Sequence, residues 1–307
     1  MMLMQTRRDG LRCLACTVIL VAAASMSTFG HADPASRIDI VYVEPDDPSY
    51  RPQFTALKRR QVLEELQEFL APLKLDRQLL IQVRQCGKLI EYYQHNGPVT
   101  ICYEYVRKLY ELGSKIPADA VIAGGVSRED AIVGAFVQIV LQQTSHAIFD
   151  MFRLPIWGRE EDAADKLAGF LMLQFGQDIA RRALTGSAYF FEASDRTWTG
   201  SDFADIYSTE AQRFYNYLCI AYGGDPVAFG DLVEHPSMSA RGAARHPEKG
   251  EIDLLPNERA VRCAHEYTDI VYAFNLTIMP HVDQELLQKV LARHDWLQMP
   301  HYPRPAN

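Results

Sequence analysis

SREDAIVGAFVQIVLQQTSHAIFDMF, residues 127–152, is the stretch from which the rest of the chain can be placed. Ser127 followed by Asp130 opens it with a capping-box-like pair, the aspartate standing in for the usual Glu or Gln. Ala131 to Val140 is apolar or small throughout, except for Gln138. A helix that is apolar nearly all round is buried on every side, so this segment is the expected core helix of its domain. Its second half then becomes polar along one edge. Gln142, His146 and Asp150 recur every four residues and share a face, with Gln143 beside them. A buried helix that presents such groups is either surfacing or lining a site.

Outward from that helix, the 307 residues with 48% hydrophobic content suffice for one large domain or two small ones. Residues 1–32 read as a signal peptide. Arg7, Arg8 and Arg12 precede an apolar run from Leu14 to Ala24, and Gly30-His31-Ala32 is a small-residue cleavage site. The apolar run is short for a membrane anchor. The expected protein is therefore secreted or periplasmic, cleaved near Ala32, and not an integral membrane protein. Cleavage removes three arginines and Asp9, taking the net charge from −8 to −10. An acidic chain with no basic stripe argues against nucleic acid as a partner. Cleavage also removes Cys13 and Cys16, leaving four cysteines in an oxidising compartment, which favours two disulfides. Four cysteines permit three pairings, and order and spacing rank Cys86–Cys102 with Cys219–Cys263 ahead.

Arg37 to Val43 alternates like a strand, and Pro52 begins a helix to about Leu70. Further strands are expected near Leu79–Arg84 and Val99–Tyr105, with a His95-Asn96-Gly97 turn between them. After the central helix, a long helix is expected from about Arg159 to Leu184. Others follow over Thr209–Tyr222, from Pro256, and over Val282–Leu297. Residues 237–251 read as a surface loop and 299–307 as a disordered tail. The fold class is α+β: a small antiparallel sheet, then a mainly helical body around a buried helix, in one domain over 33–298.

The segment GREEDAADKLAGFLML (158–173), after a helix ending SHAIFDMFRLP, carries a resemblance. So do Gln212-Arg-Phe-Tyr-Asn216 before Cys219, Leu255-Pro-Asn-Glu-Arg-Ala260 before Cys263, Glu266-Tyr267, and Cys86 with ICYEY at 101–105. In order and spacing over residues 80–270 they resemble a family of secreted bacterial metallopeptidases of unknown function, zincin-like, of the gluzincin kind. The resemblance implies an H-E-x-x-H helix whose two histidines hold zinc and whose glutamate activates the bound water. It implies Glu161 as the third ligand and Asp165 as a group orienting a ligand from behind. The strand Val99–Tyr105 would be the edge along which an extended peptide adds.

The chain departs from that pattern at its centre. Where H-E-x-x-H is expected it reads Gln142-Gln143-Thr144-Ser145-His146. Gln142 replaces the first zinc histidine and Gln143 the catalytic glutamate, while His146 and Glu161 remain as remnant ligands. The family's aspartate-x-histidine becomes Asp205-Ile206-Tyr207, putting Tyr207 in the histidine's place. A neutral amide is a poor zinc ligand and takes no proton from water. The acids Glu160, Glu161 and Asp162 also have a simpler use in the first turn of a helix, where each stabilises the dipole. The expectation is a catalytically impaired homologue with a peptide-binding cleft, holding no zinc or holding it weakly. The alternatives are an active zinc peptidase with a non-standard site, using a histidine of the 235–246 loop, and a structural envelope protein without a ligand.

Overall fold

Ser127 caps the central helix as its spacing with Asp130 implies, its side chain taking the Asp130 N–H while the Asp130 carboxylate takes the Ser127 N–H. The computed structural model describes residues 37–88, 91–115, 126–194, 204–234, 254–293 and 296–297. The leader, the 237–251 loop and the 299–307 tail all lie outside the described residues. In chain order come β1 (Ile38–Tyr42), α1 (Arg51–Arg60), α2 (Val62–Leu70), β2 (Leu79–Arg84), β3 (Glu91–Tyr93), β4 (Val99–Cys102) and α3 (Tyr103–Gly113). The helical body then adds α4 (Arg128–Phe152), α5 (Glu160–Leu173), α6 (Gln177–Ser194), α7 (Glu210–Gly224), α8 (Asn257–Thr277) and α9 (Gln284–Leu291). The fold is mixed α+β, as the sequence indicates. Among the described residues, α4 alone is long and apolar enough to cross a membrane, and it is buried almost end to end as the core helix.

The sheet corrects one expectation. Its order is β1-β2-β4-β3, with β1–β2 and β2–β4 parallel and only β3–β4 antiparallel. The reason is the connection after β1: α1 and α2 cross over one face before β2, so β2 returns in the same direction. Two helices stand where one was expected, because Gln61 adopts φ 52° and caps α1 through its N–H to the Leu57 carbonyl. The expected strand Val99–Tyr105 stops at Cys102, and α3 starts at Tyr103. Tyr103, Val106 and Leu109 are buried at helical spacing. β4 lies inside the sheet, between β2 and β3, and the edge strands are β1 and β3. The expected 159–184 helix is likewise two, parted at Gly176 with φ 89°. The last one is shorter than read.

One disulfide lies in the sheet and one in the helical body. Cys86–Cys102 ties the segment after β2 to the end of β4, and Cys219–Cys263 ties α7 to α8. The pairing is the one ranked first. Sequence separations of 16 and 44 correspond, on the chain-entropy account, to roughly 3 and 4 kcal/mol.

α4 and α6 cross closely over small residues. A Cβ on Gly134 would meet the Ala183 carbonyl oxygen at 2.5 Å, and one on Gly186 would meet Ala131 Cα at 2.7 Å. Gly134→Ala should therefore destabilise by about 1–3 kcal/mol by forcing the helices apart. Alanine's better helix propensity, about 1 kcal/mol, works the other way. Urea unfolding of the two proteins measures the difference. Arg293 and Trp296 return to α2. Trp296 is buried against Phe69, and Arg293 donates to Glu68 at 2.6 Å.

Candidate functional site

The polar edge of α4 opens onto a cleft of about 790 Å³. α4 ends where Arg153 takes φ 51°, and Gly158 at φ 102° completes a turn that sets the acidic first turn of α5 opposite that edge. Gln142, Gln143, His146 and Glu161 meet there. Gln142 Nε2 donates to Glu161 Oε2 at 2.7 Å and lies 3.1 Å from His146 Nε2. Gln143 Nε2 donates to Gln142 Oε1 at 2.7 Å. His146 Nε2 is 3.1 Å from Glu161 Oε2, and its Nδ1 is 2.7 Å from Glu160 Oε1. All but Glu160 are largely buried.

These contacts constrain the protons. With the ring neutral and its proton on Nδ1, Nε2 accepts from Gln142 and faces a carboxylate lone pair of Glu161. With the ring charged, Nε2–H donates to Glu161, and the Gln142 amide keeps only its bond to the same carboxylate. Burial of the ring, the largest influence, disfavours the charge. The hydrogen bonds and negative charges of Glu161 and Glu160 outweigh it and raise the His146 pKa above the ordinary histidine value. A proton between carboxylates thus does part of what a cation would do.

The donor set does not fit a catalytic zinc ion. Such sites use three protein ligands and an open position. Here the third direction is taken by an amide N–H₂ group aimed at both remaining candidates, and an N–H₂ group has no lone pair to give. Among the described residues, the one converging trio of His, Cys or acidic ligand atoms is Cys86, Cys102 and Glu104, whose two sulfurs are joined to each other.

The other expected site residues fall as follows. Asp165 does not reach His146; it accepts from Arg213 Nε at 2.7 Å and Nη2 at 2.9 Å, and from Gln138 at 3.1 Å. The carboxylate that orients the imidazole is Glu160, from the start of the same helix. Asp205 is exposed at the cleft and accepts its own neighbour's N–H, that of Tyr207, at 3.2 Å, a local turn rather than a ligand support. Tyr207 lines the cleft, and burial, with Glu161 and Glu91 nearby, pushes its phenol up to about 12.

Three further groups shape the cleft; the sequence places Asp150 on the α4 face without its partners and gives no sign of the roles of Glu91 and Arg213. Asp150, one turn beyond His146, gathers β3 and its turn to α4. It accepts from Arg77 at 2.7 Å, from the Tyr93 hydroxyl and from the Asn96 N–H, and it pairs with His95 at 2.8 Å. Glu91, on β3, lines the cleft, and its Oε2 is buried without a hydrogen-bond partner among the described residues. Burial pushes its carboxyl up to about 7, against Arg213 and Lys108, which pull it down. Arg213 is buried between Phe191 and Tyr207, its guanidinium 4.3 Å and 5.6 Å from the two ring centres. Asp150 continues the four-residue spacing, a signal present in the sequence; the other two carry none.

Asp150 gives a pH signature. Burial alone would raise its pKa, but Tyr93, the Asn96 N–H, Arg77 and His95 together hold it below the ordinary value. A carboxylate depressed in the folded state stabilises fully above the unfolded value near 4, and the contribution is lost as pH falls through the lower folded value. Asp150→Asn should cost about 1.5–3 kcal/mol at pH 7 and flatten that acid limb. Denaturant titrations between pH 2 and 7 read both.

A family model described as "Putative metallopeptidase" matches residues 42–276, a span that contains every residue of the cleft. No curated protein and no solved structure matches the chain.

Proposed function

The chain belongs to the family described as putative metallopeptidases, and on that premise we propose that it is a non-catalytic member that keeps a peptide-binding cleft. One observation carries the reading. Gln142, in the place of a zinc ligand, bonds Glu161 and lies within hydrogen-bond distance of His146, while Gln143, in the place of a general base, donates to Gln142, so an amide occupies the space between the remnant ligands. Neither amide can hold a metal strongly or take a proton from water. What remains of the peptidase is the groove. The edge strand β3 and α4 flank a cleft open enough for an extended chain, and β-strand addition gives main-chain affinity without any metal. We place this activity outside the cytoplasm, with residues 1–32 removed on export and both disulfides formed there.

Elemental analysis after incubation with zinc, alongside a peptide-cleavage assay, tests the proposal. Less than a tenth of an equivalent of zinc and no turnover are expected, together with measurable binding of unstructured peptides. Stoichiometric zinc with chelator-sensitive cleavage would establish a peptidase with a non-standard site instead. Absence of peptide binding under all conditions would leave a structural protein.

A further inference from the structure

Next to the cleft lies a second cavity of about 370 Å³, and the two share Glu91, Asp205 and Tyr207 on their common wall. Two carboxylates line it, Glu91 from β3 and Glu210 from the start of α7, and each has a buried oxygen with no hydrogen-bond partner among the described residues. A buried carboxylate oxygen without a donor is costly, and the natural donor is a cation. Tyr105, Phe190 and Phe191 supply aromatic walls. Arg213 already shows how these walls receive a guanidinium, set over Phe191 and Tyr207, but its hydrogen bonds go to Asp165, and it bonds neither Glu91 nor Glu210 among the described residues. Lys108 lines the cavity as an exposed side chain and makes no ion pair with either acid among the described residues.

We propose that this cavity is the specificity pocket of the peptide groove and takes the side chain of a lysine or arginine from a chain lying along β3. The proposal rests on the peptide-binding reading of the cleft. A four-carbon or guanidino side chain would bring its charge to the two orphan carboxylates while its methylenes lie on the aromatic walls. The acidic protein as a whole also favours the approach of a basic peptide.

The test uses fluorescein-labelled alanine-rich decapeptides that carry one lysine, one arginine or one norleucine at the same position, with affinities from fluorescence polarisation. Norleucine keeps the methylenes and removes the charge. Lysine and arginine peptides should bind on the order of ten- to a hundred-fold tighter than the norleucine peptide. In a Glu91→Gln/Glu210→Gln double variant, isosteric at both positions, that preference should collapse. Equal affinity of all three peptides for the wild-type protein would overturn the pocket and leave the groove standing. A preference that survives in the double variant would also overturn it. Absence of binding by every peptide would overturn groove and pocket together.

Discussion

Gln142→His and Gln143→Glu, introduced together, should give a protein that binds an equivalent of zinc and cleaves peptides. Gln142 Nε2 already sits 2.7 Å from Glu161 Oε2 and 3.1 Å from His146 Nε2, so an imidazole at 142 would complete a three-ligand set on two helices that are in place. Gln142→His alone should recover metal without turnover, because no carboxylate stands at 143 and general-base help is worth about 10²–10⁴-fold. Gln143→Glu alone should recover neither. It would also set a carboxylate against Gln142 Oε1, which now receives the Gln143 N–H at 2.7 Å, and leave that buried oxygen without its donor. A stability loss of about 1–3 kcal/mol is the expected outcome of that single change. Metal and base act as one unit, so the effects are far from additive. Isothermal titration with zinc, urea unfolding and a cleavage assay on the three variants separate these outcomes. Zinc binding by the Gln143→Glu single variant would show that the ligand set has been misread.

Arg213→Ala should be the most damaging single substitution away from the helix crossings, at about 3–5 kcal/mol. The guanidinium makes a two-point bond to Asp165, and both side chains are nearly inaccessible, at 14% and 8% exposure. Burial opposes the Arg213 charge, yet Asp165 raises its pKa, so the guanidinium stays charged inside the protein. Removing one member leaves the other charged with nothing equivalent to face, since Gln138 at 3.1 Å and Tyr217 at 3.4 Å are weak substitutes. Arg213→Lys should be costly as well, because an ammonium can neither fork onto both oxygens nor stack flat on Phe191. Arg213→Met with Asp165→Leu should lose less than either single change, since no buried charge is then left over. Urea unfolding of the four proteins closes that cycle.

What could be read in advance was what is local or repeats. The Ser127–Asp130 cap and the buried run behind it mark α4 because a cap and a helical period need only neighbouring residues. Gln142, His146 and Asp150 were legible as one face for the same reason. The meeting of that face with Glu161 was available only through the resemblance over 158–173. Strand direction was not legible, since it depends on whether α1 and α2 cross the sheet or turn back beside it. Val99–Tyr105 reads as strand because Val, Thr, Ile and Tyr favour strands, yet the burial of Tyr103, Val106 and Leu109 follows the helical period. Glu160 was given a role at the helix terminus, and its bond to His146 spans 14 residues and a turn with no sequence signature. The Arg213–Asp165 pair is 48 residues apart and carries no pattern at all.

The return of Trp296 to Phe69 also sets a clock on synthesis. Arg293 and Glu68 are 225 positions apart, so at 5–20 residues per second the ribosome delivers the cover for α2 roughly 10–45 s after α2 itself. Through that interval the face carrying Phe69 has no tryptophan to lie against, and Phe175, the third ring of the group, is likewise bare on one side. The nascent chain therefore carries that face of α2 uncovered for most of its translation.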